Sequence, residues 1–245
     1  MNKQTASRIG SAFCSLTAAV FITAPNLASA QEDGPFMLST RLLDVQSGTE
    51  AHVESALADI SAEFGNAGRP FNMVYQRIRG DLPAYVIYTP DANYNEMPPI
   101  DLDDGLIARV TDHLDGNTLL TTAINPALAT NVEGMDTPDY MFVRVFSVPP
   151  ANNEAFQEFM AETVAPALDE AGVSSRSGRN ILGGSIGNYV LYIYNDSFPA
   201  DTAQRLMQSM GERDYDRMIA QGESLVSGVQ DLVYRFREDL SYMSD

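Results

Sequence analysis

Arg41-Leu-Leu-Asp-Val45 and Arg144-Val-Phe-Ser-Val148 are the two segments from which the fold of this chain can be worked out. A second pair, Tyr85-Val-Ile-Tyr88 and Tyr189-Val-Leu-Tyr192, begins 44 residues after the first arginine and 45 residues after the second. Similar segments that recur in one order at one spacing indicate an internal duplication.

A third pair of segments lies between these two and supports the same alignment. Its matches are Glu50-Ala51 with Glu154-Ala155, and Glu54 with Glu158. The second copy is one residue longer, and we expect the inserted residue near Pro149-Pro150.

Each copy is predicted to contain the same series of elements. Apolar, β-branched runs between turn residues predict strands, and apolar residues at helical spacing predict helices. The first copy should hold a strand over 36–45, a helix over 47–64, a hairpin over 71–89 and a helix near 101–115. The second should hold a strand over 140–148, a helix from 152 or 153 to 171, a hairpin over 174–195, a helix near 200–222 and a strand over 229–237. No convincing closing strand is evident in 116–137, which is rich in Thr, Ala and Asn.

Strand, helix, hairpin, helix, strand is the order of a ferredoxin-like unit. On these segments the chain resembles the dimeric α+β-barrel superfamily in its tandem, single-chain form. That superfamily includes NIPSNAP-like, antibiotic-biosynthesis-monooxygenase-like and chlorite-dismutase-like proteins. The resemblance implies an α+β fold of two tandem ferredoxin-like units that form one barrel. The expected divisions are a signal peptide over 1–30, a first unit over 31–133, a linker over 134–138 and a second unit over 139–245.

The first 30 residues have the pattern of a cleavable export signal. Lys3 and Arg8 precede an apolar run from Ala12 to Ile22, and Ala28-Ser29-Ala30 offers the small residues of a cleavage site. The apolar run is about half of the ~20 residues that span a bilayer. We therefore expect cleavage after Ala30 and an exported protein, periplasmic or extracellular, without a stable membrane anchor.

Composition excludes several classes of site and partner. The formal net charge is −18, and it becomes −20 without the two cations of the signal peptide. Such a charge opposes binding to nucleic acid and to anionic membranes. The only cysteine, Cys14, lies in the signal peptide, so the mature chain can form no disulfide and has no thiolate metal ligand.

The two matched arginines are candidates for binding an anionic ligand. Tyr140, Phe142, Arg144 and Phe146 share one face of the predicted strand by alternation. We expect the opposite face, which is aliphatic, to pack on the helices, and the aromatic face to line a space between the two sheets. Arg41 is then the counterpart of Arg144, and guanidinium groups suit carboxylates. The alternative is that each arginine pairs with one of the many acidic residues.

Tyrosines of the predicted sheets form the second set of candidates, since a phenol can donate a hydrogen bond to a ligand. The candidate ligand-binding tyrosines are Tyr75, Tyr85, Tyr140 and Tyr189. The alternative is that they are ordinary sheet residues with their hydroxyls at the rim.

No metal or cofactor is expected. His52 and His113 are the only histidines and neither has another at ligand spacing, and the second copy contains none. The chlorite-dismutase-like resemblance implies haem, which this shortage argues against. Glu50 and Glu54 favour a solvated helix face, and the calcium-loop-like residues 91–95 lack the later glycine and glutamate of that motif.

Three functions remain open at this point. The leading hypothesis is an exported protein of unassigned activity that holds a small apolar or anionic molecule between its sheets. The first alternative, implied by the resemblance, is a cofactor-independent monooxygenase- or isomerase-like enzyme. The second is an assembly module without a ligand. Homo-oligomers are compatible with each of the three.

Overall fold

The computed structural model describes residues 36–78, 84–90, 100–132, 137–183, 187–198 and 201–244. The signal peptide, the calcium-loop-like segment 91–95 and most of the expected linker lie outside these residues. Within them the chain forms two compact units. The first unit contains Phe36–Thr121 and 237–244, and the second contains Thr122–Phe236. This division differs from the expected 31–133 and 139–245, because the boundary falls inside a strand and the C-terminal residues belong to the first unit.

The first unit is a small antiparallel sheet with two helices. Its elements are β1 (Phe36–Val45), α1 (Glu50–Asn66), β2 (Phe71–Arg77), β3 (Ala84–Pro90), α2 (Asp104–Thr111), the start of β4 (Leu114–Thr130) and β9 (Tyr242–Met243). The strand order is β4-β1-β3-β2-β9. Residues of α1, β1 and α2 form its core, including Val53, Leu57, Leu43 and Val110.

The second unit repeats this arrangement. Its elements are the rest of β4, β5 (Tyr140–Ser147), α3 (Asn153–Phe159), a π-helix (Met160–Val164), α4 (Ala165–Glu170), β6 (Ser174–Leu182), β7 (Tyr189–Asn195), α5 (Thr202–Met210), α6 (Glu212–Leu225) and β8 (Gly228–Phe236). The strand order is β8-β5-β7-β6-β4. The β5–β7, β5–β8 and β6–β7 pairs are antiparallel. Thus β8, β5, β7 and β6 take the places that β4, β1, β3 and β2 take in the first unit.

The prediction that 116–137 lacks a strand is wrong, since the 17-residue β4 covers positions 116–130 of it. Thr121, Thr122 and Ile124 are buried there, and β-branched residues suit a strand. Asn125 and Pro126 are exposed, where the missing proline N–H costs little. The polar composition hid a strand that has only a few buried residues.

The extra residue of the second copy lies inside a helix. Val53 and Phe156 are both fully buried and stand 103 positions apart, the offset that also relates Arg41 to Arg144. Gly68 and Gly172, which follow the two helices with φ of 66° and 63°, stand 104 apart. The π-helix takes up the difference, with the N–H of Ala165 bonded to the carbonyl of Met160. The expected insertion near Pro149-Pro150 is therefore wrong.

Pro166 accounts for the position of the π-helix. Proline has no N–H and its ring crowds the carbonyl four residues earlier, so it fits the first turn of a helix and disrupts the interior. Pro166 is the second residue of α4. The π-helix directly before it allows α4 to begin as a new first turn.

The aromatic face of β5 packs on the helices, contrary to expectation. The ring of Phe146 lies 5.2 Å from that of Phe156 on α3, and Phe142 packs against the same core cluster. The aliphatic Met141 and Val143 are buried on the other face. Phenyl rings are large enough to fill the space between a sheet and its helices, and they bury more apolar area there than the aliphatic side chains of the other face would.

The described part of the chain contains no helix that is long and apolar enough to cross a membrane.

Candidate functional site

Tyr85 is the centre of a hydrogen-bonded cluster in the first unit. Its hydroxyl donates to Glu54 Oε1 of α1 at 2.6 Å, and Gln76 Nε2 of β2 lies 3.4 Å from the same hydroxyl. Gln76 and Tyr85 are directly opposite each other in the β2–β3 pair. Helix and hairpin thus bring three polar side chains together at one end of the sheet.

Arg237 closes this cluster. Its guanidinium contacts Glu54, donates to Gln76 Oε1 at 3.3 Å, and holds Asp239 through two bonds of 2.7 and 2.8 Å. The hydrogen bond from Arg237 lowers the pKa of Glu54. Burial, and then the bond to Glu54, raise the pKa of Tyr85. The carboxylate is therefore held ionised, the phenol stays protonated, and the charges of the cluster are satisfied internally.

The second unit has a corresponding cluster with a different charge. Gln157 Nε2 of α3 donates to the Tyr189 hydroxyl at 2.7 Å. The guanidinium of Arg179 on β6 lies 5.5 Å from the centre of the Tyr189 ring, a cation–π contact. Arg179 and Tyr189 are directly opposite each other in the β6–β7 pair, as Gln76 and Tyr85 are in theirs.

The two clusters occupy equivalent positions. Glu54 and Gln157, like Gln76 and Arg179, stand 103 residues apart, and Tyr85 and Tyr189 stand 104 apart. The expected match of Glu54 with Glu158 is thus one residue out of phase, and Gln157 is the true counterpart. The acid Glu54 of the first unit thus corresponds to the amide Gln157 of the second, and the amide Gln76 corresponds to the cation Arg179.

This exchange leaves the second cluster positive. Among the described residues no carboxylate lies within ion-pair distance of Arg179. Since Gln157 donates to the oxygen of Tyr189, the phenolic hydrogen is not used in that bond and can point to a ligand. A guanidinium and a phenolic O–H beside each other can bind an anion.

The predicted arginine candidates both lie on the helix side of their sheets. Arg144 forms two bonds of 2.7 Å to Asp231, directly opposite on β8, and this partner raises its pKa. Arg144 therefore follows the alternative of pairing with an acid. Arg41 Nη1 donates to Asn117 Oδ1 at 3.2 Å, and burial lowers its pKa.

The remaining tyrosine candidates pack against other aromatic rings. Tyr75 is buried and its ring meets that of Tyr88 edge-on, with centroids 5.8 Å apart. The Tyr140 ring lies 5.9 Å from that of Phe198. Of the six predicted site residues, Tyr85 and Tyr189 therefore lie in the clusters and the other four do not.

The two histidines, expected to be isolated, lie side by side in the first unit. Their ring centroids are 5.5 Å apart and the rings are inclined by 21°. His52 belongs to α1 and His113 follows α2, so the contact between these helices brings them together. No group of three or more metal-ligating side chains occurs among the residues that the structure describes.

Sequence reasoning missed Gln76, Gln157, Arg179 and Arg237 as site residues. Gln157 became visible only when the helices were aligned in the correct phase. The available signal was Pro166, because a proline in the interior of a predicted helix indicates an irregular turn.

No protein family and no curated protein sequence matches this chain. Solved structures do. A proposed monooxygenase from Fusobacterium nucleatum has a TM-score of 0.60 at 15% identity, over 88% of this chain and 100% of that chain. An anthrone oxidase-like protein has 0.57 at 12% identity, over 86% and 94%. A chlorite dismutase from Candidatus Nitrospira defluvii, in complex with imidazole, has 0.51 at 12% identity, over 85% and 94%.

At these identities the comparisons show the fold alone. The chain shares its mixed α+β fold with these monooxygenase-like and chlorite-dismutase-like structures. The predicted likeness to those two groups is thus confirmed at the level of fold. The likeness to NIPSNAP-like proteins stays a prediction.

Haem, which the chlorite-dismutase-like fold implies, does not fit the residues present. The sequence of the second unit, Thr122–Phe236, contains neither histidine nor cysteine. The two histidines of the first unit stack on each other, and neither is held apart as an axial ligand.

Proposed function

We propose that this protein binds a small organic anion at Gln157, Arg179 and Tyr189 of its second unit. The observation that carries the proposal is the contrast between the two equivalent clusters. In the first unit a guanidinium, a phenol and a carboxylate satisfy one another. In the second unit the guanidinium and the phenol are present, and no described carboxylate reaches them.

Each side chain has a distinct role in this proposal. The planar guanidinium of Arg179 would donate two parallel N–H bonds to a carboxylate, the geometry that favours arginine over lysine. Tyr189 would donate its O–H to the same group. Gln157 would fix the hydroxyl by donating to its oxygen. Because the chain carries a net charge of −18, this local cation is what would attract an anion.

Titration calorimetry of the purified protein with benzoate and octanoate tests the proposal. We expect Arg179→Gln to weaken binding about tenfold or more, because a hydrogen bond to a charged group is worth about 1.5–3 kcal/mol. Arg213→Gln is the matched control, since Arg213 is exposed on α6 and its loss changes the net charge equally. Binding that is absent from the unaltered protein would refute the proposal and favour an assembly module without a ligand. Binding that is the same in both variants would refute the site at Arg179.

A cofactor-independent monooxygenase-like enzyme is the second candidate, and the fold comparisons favour it. In this case the Tyr189 hydroxyl would donate to the oxyanion of a substrate that has lost a proton from a carbon conjugated with its carbonyl. Anthrone is a suitable probe: O₂ would oxidise its CH₂ carbon to a carbonyl, one oxygen atom entering the quinone and the other leaving as water. Oxygen uptake and quinone absorbance that disappear in Tyr189→Phe would support this reading, and their absence would favour simple binding.

Tandem ferredoxin-like units and export also belong to this proposal. The strand order shared by the two units and the equivalent tyrosine clusters support the tandem repeat.

The composition of residues 1–30 supports export. N-terminal sequencing of protein from the medium or periplasm should begin at Gln31. A retained residue 1 in that fraction would contradict cleavage after Ala30, and protein confined to the cytoplasm would contradict export.

A further inference from the structure

We infer that the anion bound by Arg179 and Tyr189 carries an apolar tail that lies along Ile181. This inference rests on the proposed function and names the class of its ligand: a carboxylate joined to an alkyl or aryl group, in contrast to an inorganic anion or a sugar acid.

Ile181 provides apolar surface directly beside the cation. Side chains alternate along β6, so Arg179 and Ile181 project from the same face, about 7 Å apart. Asn180 confirms the alternation, since it is buried on the other face, where its Oδ1 accepts a bond of 2.9 Å from Thr122. Ile181 is 36% exposed. A ligand whose carboxylate met Arg179 would thus have apolar protein surface within the reach of a short chain.

The inner side of the cluster is closed to a tail. The Tyr189 ring lies 4.8 Å from that of Phe156, and Phe146 lies 5.2 Å from Phe156 on the other side. Phe156 is fully buried, so these rings already fill the space below the helix. A tail must therefore extend outward along β6, over Ile181.

Val229, on β8, is another exposed apolar residue on this sheet, and it is too far from Arg179 for a short tail. Arg179, Tyr189, Phe146 and Val229 lie opposite one another on four adjacent strands. Three strand spacings separate Arg179 from Val229, about 14 Å. The backbone separation of Arg179 from Ile181 is thus about half of its separation from Val229, so a tail longer than that of butyrate meets Ile181 first.

Chain length is the direct readout of a bound tail. A fully buried methylene contributes about 0.8 kcal/mol, roughly fourfold in affinity. A tail lying on one side chain is covered on one side only, so we expect about twofold per methylene. Calorimetric titration with butyrate, hexanoate and octanoate should show this rise in the unaltered protein, and Ile181→Ser should flatten it while leaving butyrate binding unchanged.

Two variants serve as matched controls. Leu182 follows Ile181, is 61% exposed, and projects from the opposite face of β6. Leu182→Ser removes a similar apolar side chain next to the site and should leave the chain-length series unchanged. Val229→Ser should also leave it unchanged. All three residues are exposed, and thermal melting with a midpoint equal to that of the unaltered protein confirms that each variant is folded.

The outcomes separate this inference from the proposed function. Affinity that does not depend on chain length overturns the apolar tail, and so does a series that Leu182→Ser or Val229→Ser flattens as much as Ile181→Ser does. If binding still needs Arg179 in that case, the proposed function stands. No binding of any carboxylate overturns both. A series flattened by Ile181→Ser alone supports the inference.

Discussion

Removing the hydroxyl from each of the two tyrosine clusters should cost different amounts of stability. The Tyr85 hydroxyl is buried and donates to an ionised carboxylate at 2.6 Å. A hydrogen bond to a charged group contributes about 1.5–3 kcal/mol. Glu54 is 27% exposed and keeps its contact with Arg237, so we expect Tyr85→Phe to cost about 1–2 kcal/mol, near the lower end of that range.

Tyr189→Phe removes a weaker interaction. Its hydroxyl accepts from the neutral amide of Gln157, which is exposed and can bond to water instead. Such a bond contributes about 0.5–1 kcal/mol. Both replacements leave the ring in place, so no cavity forms and the two costs can be compared directly.

Urea unfolding followed by circular dichroism measures the difference. We expect the two variants to differ by about 1 kcal/mol, which is about 2–4 °C in melting temperature for a chain of this size. A double-mutant cycle of Tyr85→Phe with Glu54→Gln should show a coupling energy of about 1 kcal/mol. Equal costs for the two tyrosines, or a coupling energy near zero, would show that the first cluster is not held by the phenol–carboxylate bond.

Three further predictions concern the same regions. First, the pKa of Glu54 is lowered in the folded protein, chiefly by the hydrogen bond from Arg237, so its contribution to stability is present above its ordinary pKa of about 4.3 and is lost as the pH falls through the lower folded value. The difference in unfolding free energy between the unaltered protein and Glu54→Gln should therefore shrink from pH 6 to pH 3, and a constant difference contradicts the assignment. Second, Phe156→Ala should cost about 3–5 kcal/mol in urea unfolding, since this fully buried ring contacts Phe146, Phe159 and Tyr189; a cost below 1 kcal/mol would mean that the helix does not seal the core there. Third, Gln157→Glu should supply Arg179 with an internal carboxylate and abolish octanoate binding. Gln157→Ala should weaken octanoate binding only a few-fold, because loss of a neutral hydrogen bond costs about 1 kcal/mol. Equal octanoate affinities of the two variants in calorimetry would refute the idea that a ligand carboxylate takes the place of an internal one.

The regular elements could be predicted because their patterns are strong. Val53, Leu57 and Ile60 recur at helical spacing and are all buried on α1. β6 begins and ends as predicted, at Ser174 and Leu182. β4 could not be recognised because few of its 17 residues are buried, and a strand is identified in a sequence mainly by the residues it buries.

The candidate site was predicted in part, and the error has a physical cause. Tyr85 and Tyr189 were found because the strands that carry them are alike in the two copies. Their partner Gln157 was missed because the similarity of Glu154-Ala155 to Glu50-Ala51 favoured an alignment one residue out of phase. The π-helix restores the phase only after Met160, so Gln157 and not Glu158 faces the tyrosine.

The equivalence of the two clusters is what gives the anion site its physical basis. The first unit shows that this position in the fold holds a carboxylate between a phenol and a guanidinium, with both supplied by the chain. The second unit keeps the phenol at the same place and provides the guanidinium from β6, directly opposite the tyrosine. Since glutamine stands where the carboxylate would be, the one charge that is missing is negative. A ligand that brought a carboxylate to Arg179 would complete in the second unit the set of interactions that the first unit completes by itself.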